Sequence, residues 1–142
     1  MAEPWILLAG LARQFPLVNR FVIEVPNGEE LLSKVFNLKG YKQVHYSTEH
    51  LYYFTNCTLA KVAEKAGLKV ILNSQSQRYT LGNTLGWLAD DTGGGQSRLS
   101  YFNGAVFHNA YQTALADAGL ADSLLLIATP TENKSRSRVG RI

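Results

Sequence analysis

Extended apolar runs at three places predict the strands of this chain. Residues 20–25 are mostly apolar and rich in β-branched residues, and the Pro-Asn-Gly sequence at 26–28 ends the run. Residues 69–72 predict a second strand that extends to about Gln75, and residues 123–128 predict a third. The third run is continuously apolar, so we expect it to be central in the sheet.

Helical spacing of apolar residues predicts the segments between the strands. The clearest helix follows Thr55, which is a favourable N-cap, and Gly67 stands where the C′ residue takes a left-handed conformation. Other helices are expected at 4–14, at 80–89, from an N-cap at Asn103 to 118, and as a short helix or turn at 29–36. Two segments are expected to be irregular: 37–48 as a flap over a site, and the glycine-rich 90–96 as a flexible hinge.

Composition and charge favour one α/β domain at 1–131 and a basic, disordered tail at 132–142. The tail accounts for the whole net charge of +3, and a neutral domain argues against nucleic-acid binding. Residues 5–12 are apolar but too short to span a bilayer, and Glu3 precedes them instead of a basic signal region. Cys57 is the only cysteine, which suits a reducing compartment. We therefore expect a cytoplasmic protein without a membrane segment.

Four segments carry a resemblance to a known family: FVIEVPN at 21–27, EHLYYFT at 49–55, TLAKVAEKAGLKVI at 58–71 and QRYTLGNTLGWL at 77–88. This pattern resembles the C-terminal half of class I S-adenosylmethionine-dependent methyltransferases. It is most similar to a branch that acts on small molecules or sugars. The resemblance covers about residues 4–128, and the second and fourth segments are its most specific parts.

The resemblance implies a partial Rossmann-like sheet of three main strands, with the third strand between the first two and antiparallel to both. It implies S-adenosylmethionine as cofactor and a small molecule or sugar as methyl acceptor. The family's acidic-Gly-x-Gly-x-Gly cofactor loop is absent from this sequence, so we expect little or no cofactor binding without an N-terminal cofactor-binding half. The chain aligns with the family after its fourth strand. The strand at 20–25 would then keep an open edge, which predicts self-association, either as a homodimer through this strand or as aggregate.

His50 is the candidate catalytic residue. It lies within the matching EHLYYFT segment, and histidine exchanges protons near neutral pH, as removal of a proton from a methyl acceptor requires. His45 and Glu49 are candidate substrate-binding neighbours. The alternative is that His50 only orients the loop and the following helix through hydrogen bonds. The histidines and Cys57 are too irregularly spaced for a zinc motif.

Aromatic residues of the same segment are further candidates. Tyr52 and Tyr53, with Phe54, suit stacking on a substrate ring or on a sulfonium, although core packing is the favoured explanation for each of them taken singly. Asn27 stands at the carboxyl end of the first strand, where ligands bind in open α/β sheets. Its side chain suits either a ligand bond or an Asx-turn.

The QRYTLGNTLGWL segment supplies the remaining substrate-binding candidates, which are Gln77, Arg78, Tyr79 and Asn83. Arg78 suits an anionic group of the substrate, and a surface ion pair is the alternative. Two functions remain open for the chain. It is either the acceptor side of a methyltransferase or a non-catalytic binding or scaffolding module that keeps half of the fold.

Overall fold

The computed structural model describes residues 3–46 and 50–131, as three strands flanked by helices. The strands are β1 (Phe21–Pro26), β2 (Leu68–Ser76) and β3 (Ser123–Pro130). The helices are α1 (Pro4–Gln14), α2 (Leu31–Lys34), α3 (Lys39–His45), α4 (Asn56–Lys65), α5 (Leu81–Asp90), α6 (Gly95–Arg98) and α7 (Ala105–Ala118), with a 3-10 turn at Ser100–Asn103. Within the described residues, no helix has the length and apolar character needed to cross a membrane.

The sheet has the strand order β1-β3-β2, and β3 runs antiparallel to both neighbours. This arrangement confirms the predicted pairing. Ile127 of β3 pairs with Val22 on one side and with Leu72 on the other. A β-bulge interrupts the β2–β3 pairing between Val70 and Leu72. The central position of β3 agrees with its apolar sequence, because most side chains of a strand covered on both edges and on one face are buried.

The main core lies between the sheet and the two helices α1 and α4. Leu59 and Ala63 of α4 are buried against Leu124 and Leu126 of β3, and apolar residues of α1 pack around them. Thr55 caps α4, because its hydroxyl accepts the Thr58 N–H while the Thr58 hydroxyl accepts the Thr55 N–H. The predicted cap and the predicted strands therefore position the aromatic loop that precedes α4.

The segment 37–48 was expected to be an irregular flap, and this expectation is wrong for most of its length. Lys39–His45 forms α3, and its first turn is capped by the distant Asp91. The Asp91 carboxylate accepts the Gly40 N–H at 2.6 Å and the Tyr41 N–H at 2.9 Å. Since the cap comes from beyond α5, no local sequence signal marks this helix.

The segment 90–96 was expected to be a flexible loop with a glycine hinge. Residues 91–94 are indeed non-helical, but the expectation is wrong for the last two residues, which begin α6. Gly95 is buried and starts α6, and a Cβ at Gly95 would overlap the backbone of Gly86 in α5. Asn103 was expected to cap α7, but its amide donates to the Gln96 carbonyl at 2.6 Å, and Gly104 precedes α7 instead. The conformation of this region therefore depends on the close contact between α5 and α6, which glycine permits.

Candidate functional site

A pocket of about 480 Å³ lies at the carboxyl end of β1, and we call it the site pocket. Its lining comes from β1, from α3, from the loop before α4, from the segment after β2 and from the start of β3. The lining residues are Glu24, Val25, Pro26, Tyr41, His45, His50, Leu51, Tyr52, Phe54, Arg78, Tyr79, Asp122 and Ser123. The volume is within the range of small-molecule sites.

Asp122 connects two walls of the site pocket. One of its carboxylate oxygens accepts the backbone N–H groups of Arg78 and Tyr79, each at 2.9 Å, and the other accepts the Ser123 hydroxyl at 2.8 Å. The residue is only 7% exposed. Burial raises the pKa of the Asp122 carboxyl above its ordinary value, although these hydrogen bonds oppose the shift. Asp122 therefore holds the segment after β2 against the start of β3.

Arg78 brings a cation to the site pocket. Its guanidinium lies 3.5 Å from the Glu24 carboxylate, and both side chains remain about half exposed or more. Such an exposed pair contributes little to stability, because water screens both charges. The guanidinium therefore keeps donors that an anionic ligand can use.

His45 projects from the end of α3 into a partly buried position. Its ring stacks on Tyr41 with centroids 5.1 Å apart, and its Nδ1 lies 3.3 Å from the Tyr41 hydroxyl. Its Nε2 is buried and makes no hydrogen bond of normal geometry with the described residues. Burial lowers the pKa of His45, with the Glu30 carboxylate acting in the opposite direction. His45 is therefore held neutral near pH 7 with one ring nitrogen unpaired in the described structure.

The loop before α4 places its aromatic residues in three different surroundings. Tyr52 lines the site pocket, whereas Phe54 lines it and also packs against the main core. The Tyr53 hydroxyl donates to the His45 carbonyl, and its ring lies 5.1 Å from the His45 ring. His50 lines the pocket and approaches the Tyr53 ring edge-on, at 6.0 Å between centroids. Tyr53 thus fixes the loop to α3, while its two neighbours reach the pocket.

The site pocket collects six of the residues singled out from the sequence. They are His45, His50, Tyr52, Phe54, Arg78 and Tyr79. Tyr53, Gln77, Asn27 and Asn83 do not line it. Glu49 lies outside the described residues.

Asn27 and Gln77 make internal hydrogen bonds. The Asn27 oxygen accepts the Glu29 N–H at 3.0 Å, which is an Asx-turn, and its amide donates to the Ala121 carbonyl at 2.8 Å. The Gln77 side-chain oxygen accepts the Asp122 N–H at 3.0 Å. Asn83 sits in the first turn of α5, where its own N–H points to the Thr80 hydroxyl. These residues support the frame around the pocket.

Sequence reasoning missed Asp122, Ser123, Glu24 and Tyr41 as pocket residues. Asp122 had a usable signal, since a carboxylate directly before a continuously apolar strand needs a specific partner. Tyr41 had none, because its position depends on the long-range cap of α3.

The site pocket presents imidazoles, a guanidinium and aromatic rings to a small ligand. A neutral imidazole can accept a proton from a hydroxyl, and a guanidinium can bind a carboxylate or phosphate. No group of three or more His, Cys, Asp or Glu side chains in the described parts of the chain could hold a metal ion. The pocket is therefore suited to binding a polar, ring-bearing molecule and moving a proton.

Comparison with known proteins adds no family assignment. No protein-family model matches the chain, and no curated protein matches it.

Proposed function

We propose that the chain supplies the acceptor-substrate side of an S-adenosylmethionine-dependent methyltransferase with a Rossmann-like sheet. The site pocket would receive a small hydroxylated molecule or a sugar. One observation carries the proposal: the two segments with the most specific resemblance meet at one pocket. His50 and Tyr52 come from the first segment, and Arg78 and Tyr79 come from the second. Two segments that are far apart in sequence but line one pocket can both contact the same ligand.

His50 is the proposed general base on the acceptor. Its imidazole lines the pocket, and the Tyr53 ring packs against it. His45 is less suited to this role, because burial lowers its pKa and Tyr41 holds its Nδ1. Tyr52 and Tyr79 offer ring faces to the acceptor, and Arg78 offers a charge to an anionic group on it.

The described residues do not fit the cofactor itself. Gly95 packs on Gly86 of α5, Gly93 and Gly94 are exposed, and the Gly28 N–H already donates to the Phe54 carbonyl at 2.9 Å. Neither segment offers a backbone cradle for an adenosyl group. When bound by a partner half, S-adenosylmethionine would supply the methyl group, and we assign no contact with it to this chain.

The same geometry favours a second candidate, a binding module without catalysis. The observation behind it is the lack of a cofactor cradle among the described residues, beside a pocket already equipped for a polar ligand. The two candidates share the ligand and differ in the need for a methyl donor.

Ligand binding to the isotope-labelled chain tests the shared part. A panel of hydroxylated aromatic acids, sugars and sugar phosphates would be titrated while amide and imidazole resonances are followed. We expect an anionic, hydroxylated compound to shift the resonances of His50, Tyr52 and Tyr79. Arg78→Gln should weaken its binding by roughly tenfold, the value of one charged hydrogen bond.

Arg98→Gln is the matched control, since Arg98 forms an exposed ion pair with Asp90 at 2.7 Å and does not line the site pocket. Equal losses in the two variants, or a panel in which no compound moves pocket resonances, would overturn the proposal. Adding a cofactor-binding half and labelled S-adenosylmethionine then separates the candidates. A methylated ligand supports the enzyme, and binding without transfer supports the module.

A further inference from the structure

The outer edge of β1 is open over its first half. Asn27 donates its N–H to the Asp122 carbonyl, so the odd-numbered positions of this strand direct their backbone groups toward β3. The even-numbered positions therefore direct theirs outward. Among the described residues, β1 has β3 as its only strand partner. The backbone groups of Arg20, Val22 and Glu24 consequently face outward with no strand beside them.

The second half of the same edge is covered by the loop before α4. The Phe54 N–H points to the Pro26 carbonyl at 3.5 Å, and the Phe54 carbonyl accepts the Gly28 N–H at 2.9 Å. These bonds form an isolated parallel bridge between Asn27 and Phe54. An added strand could therefore pair with β1 only from its beginning as far as Glu24.

The other edge of the sheet, along β2, is better protected. A β-bulge lies between Val70 and Leu72, and bulges disrupt regular pairing. The exposed Lys69 adds a charge near its start. Asn56, at the start of α4, makes two hydrogen bonds with the Asn73 side chain of β2. Its side-chain amide donates to the Asn73 Oδ1, and its backbone carbonyl accepts the Asn73 Nδ2. The β1 edge is therefore the better template for a further strand.

The sequence of the open edge is complementary to itself. In an antiparallel pair of two β1 strands centred on Val22, Arg20 of each copy stands opposite Glu24 of the other. The three residues point to the same sheet face, since they are two positions apart. All three are exposed in the single chain, with Val22 at 65%. Such a pair has a Val22–Val22 contact between two Arg20–Glu24 contacts of opposite charge. The outward N–H and C=O groups of the two strands stand in register to form hydrogen bonds.

We propose that two copies of the chain associate through antiparallel pairing of residues 20–24 about a twofold axis at Val22. This interface is isologous and closes at the dimer, because each copy uses the same edge once. It also affects the site pocket, since Glu24 lines the pocket and lies 3.5 Å from Arg78. The second copy would place its Arg20 beside Glu24, and so bring another guanidinium to the pocket rim.

Sedimentation of the full chain over a concentration series tests this dimer. We expect a reversible monomer–dimer equilibrium. Arg20→Glu and Glu24→Arg each create two like-charge contacts and should weaken dimerisation by roughly tenfold or more. The double variant, Arg20→Glu with Glu24→Arg, restores both pairs and should return close to the original dissociation constant. Lys69→Glu, on the opposite edge, should leave it unchanged.

Hydrogen exchange gives an independent readout that does not depend on the charges. The Val22 and Glu24 amides should gain protection as the dimer forms. The Ile23 amide faces β3 and should be protected in both states. A monomer at every concentration, equal dimerisation of all charge variants, or weakening by Lys69→Glu would each overturn the proposal. So would protection of Val22 and Glu24 in the dilute monomer. Each outcome is independent of ligand binding, so failure here leaves the proposed function standing.

Discussion

At the residue scale, Asp122 is the buried carboxylate that shapes the candidate site. Its oxygens accept the Arg78 and Tyr79 N–H groups and the Ser123 hydroxyl. Those donors would be left without a partner if the oxygens were removed, at a cost of about 1–3 kcal/mol for each buried group. The pocket wall after β2 therefore depends on one side chain.

The pH dependence of stability tests this role of Asp122. Burial raises the pKa of its carboxyl above the ordinary 3.8, so the folded protein keeps this proton to a higher pH than the unfolded chain does. The stabilising contribution is therefore full below pH 3.8 and is lost as the pH rises through the folded-state pKa. Asp122→Asn cannot titrate and keeps one accepting oxygen.

Urea unfolding of both proteins across this pH range is the measurement. We expect the wild-type free energy of unfolding to fall relative to that of Asp122→Asn as the pH rises above 3.8. Asp117→Asn removes an exposed carboxylate from α7 and serves as the control. A difference between wild type and Asp122→Asn that stays constant with pH would contradict the burial argument.

At the scale of elements, close contact between α5 and α6 fixes the conformation of the chain between α5 and α7. Gly86 of α5 faces Gly95 at the start of α6, and a Cβ on either glycine would overlap the backbone of the other. This contact holds the chain that continues to α7. It also explains why Gly95, the last of three consecutive glycines, is buried, whereas Gly93 and Gly94 are exposed.

Replacing Gly86 by alanine tests the contact. A gain in helix propensity of about 1 kcal/mol opposes an overpacking cost of about 1–3 kcal/mol, so we expect a net loss of stability. Gly10→Ala is the matched control, because it also lies within a helix and its added Cβ meets no atom within 4 Å. That variant should gain about 0.5–1 kcal/mol. Chemical denaturation measures both, and stabilisation by both substitutions would show that α6 does not pack on α5.

At the scale of the whole molecule, the sequence lacks the acidic-Gly-x-Gly-x-Gly loop of the methyltransferases that it resembles. We therefore expect isothermal titration of the chain alone with S-adenosylmethionine to show weak binding or none. The reason is that, in the methyltransferases this sequence resembles, a glycine-rich loop allows close backbone approach to the cofactor. Micromolar affinity for the isolated chain would contradict this expectation and would move the cofactor site onto this chain.

The sequence by itself determined the elements whose signals are local. The Thr55 cap, the left-handed Gly67 and the three apolar strands all lie where their own neighbours predict them. The resemblance added the strand order, which periodicity alone does not contain, and the structure confirms that order.

Only the tertiary structure decided the features that depend on distant partners. Helix α3 exists at 39–45 because Asp91, far along the chain, caps it. Asp122 acquires its role because β3 returns between β1 and β2 and brings the carboxylate to the Arg78 and Tyr79 N–H groups. The path of β3 also decides which candidates reach the site pocket. His50 and Arg78 line it, whereas the side chains of Asn27 and Gln77 make internal hydrogen bonds to residues 121 and 122. A sequence pattern reports what a residue can bond to, whereas the three-dimensional path of the chain determines which partner it meets.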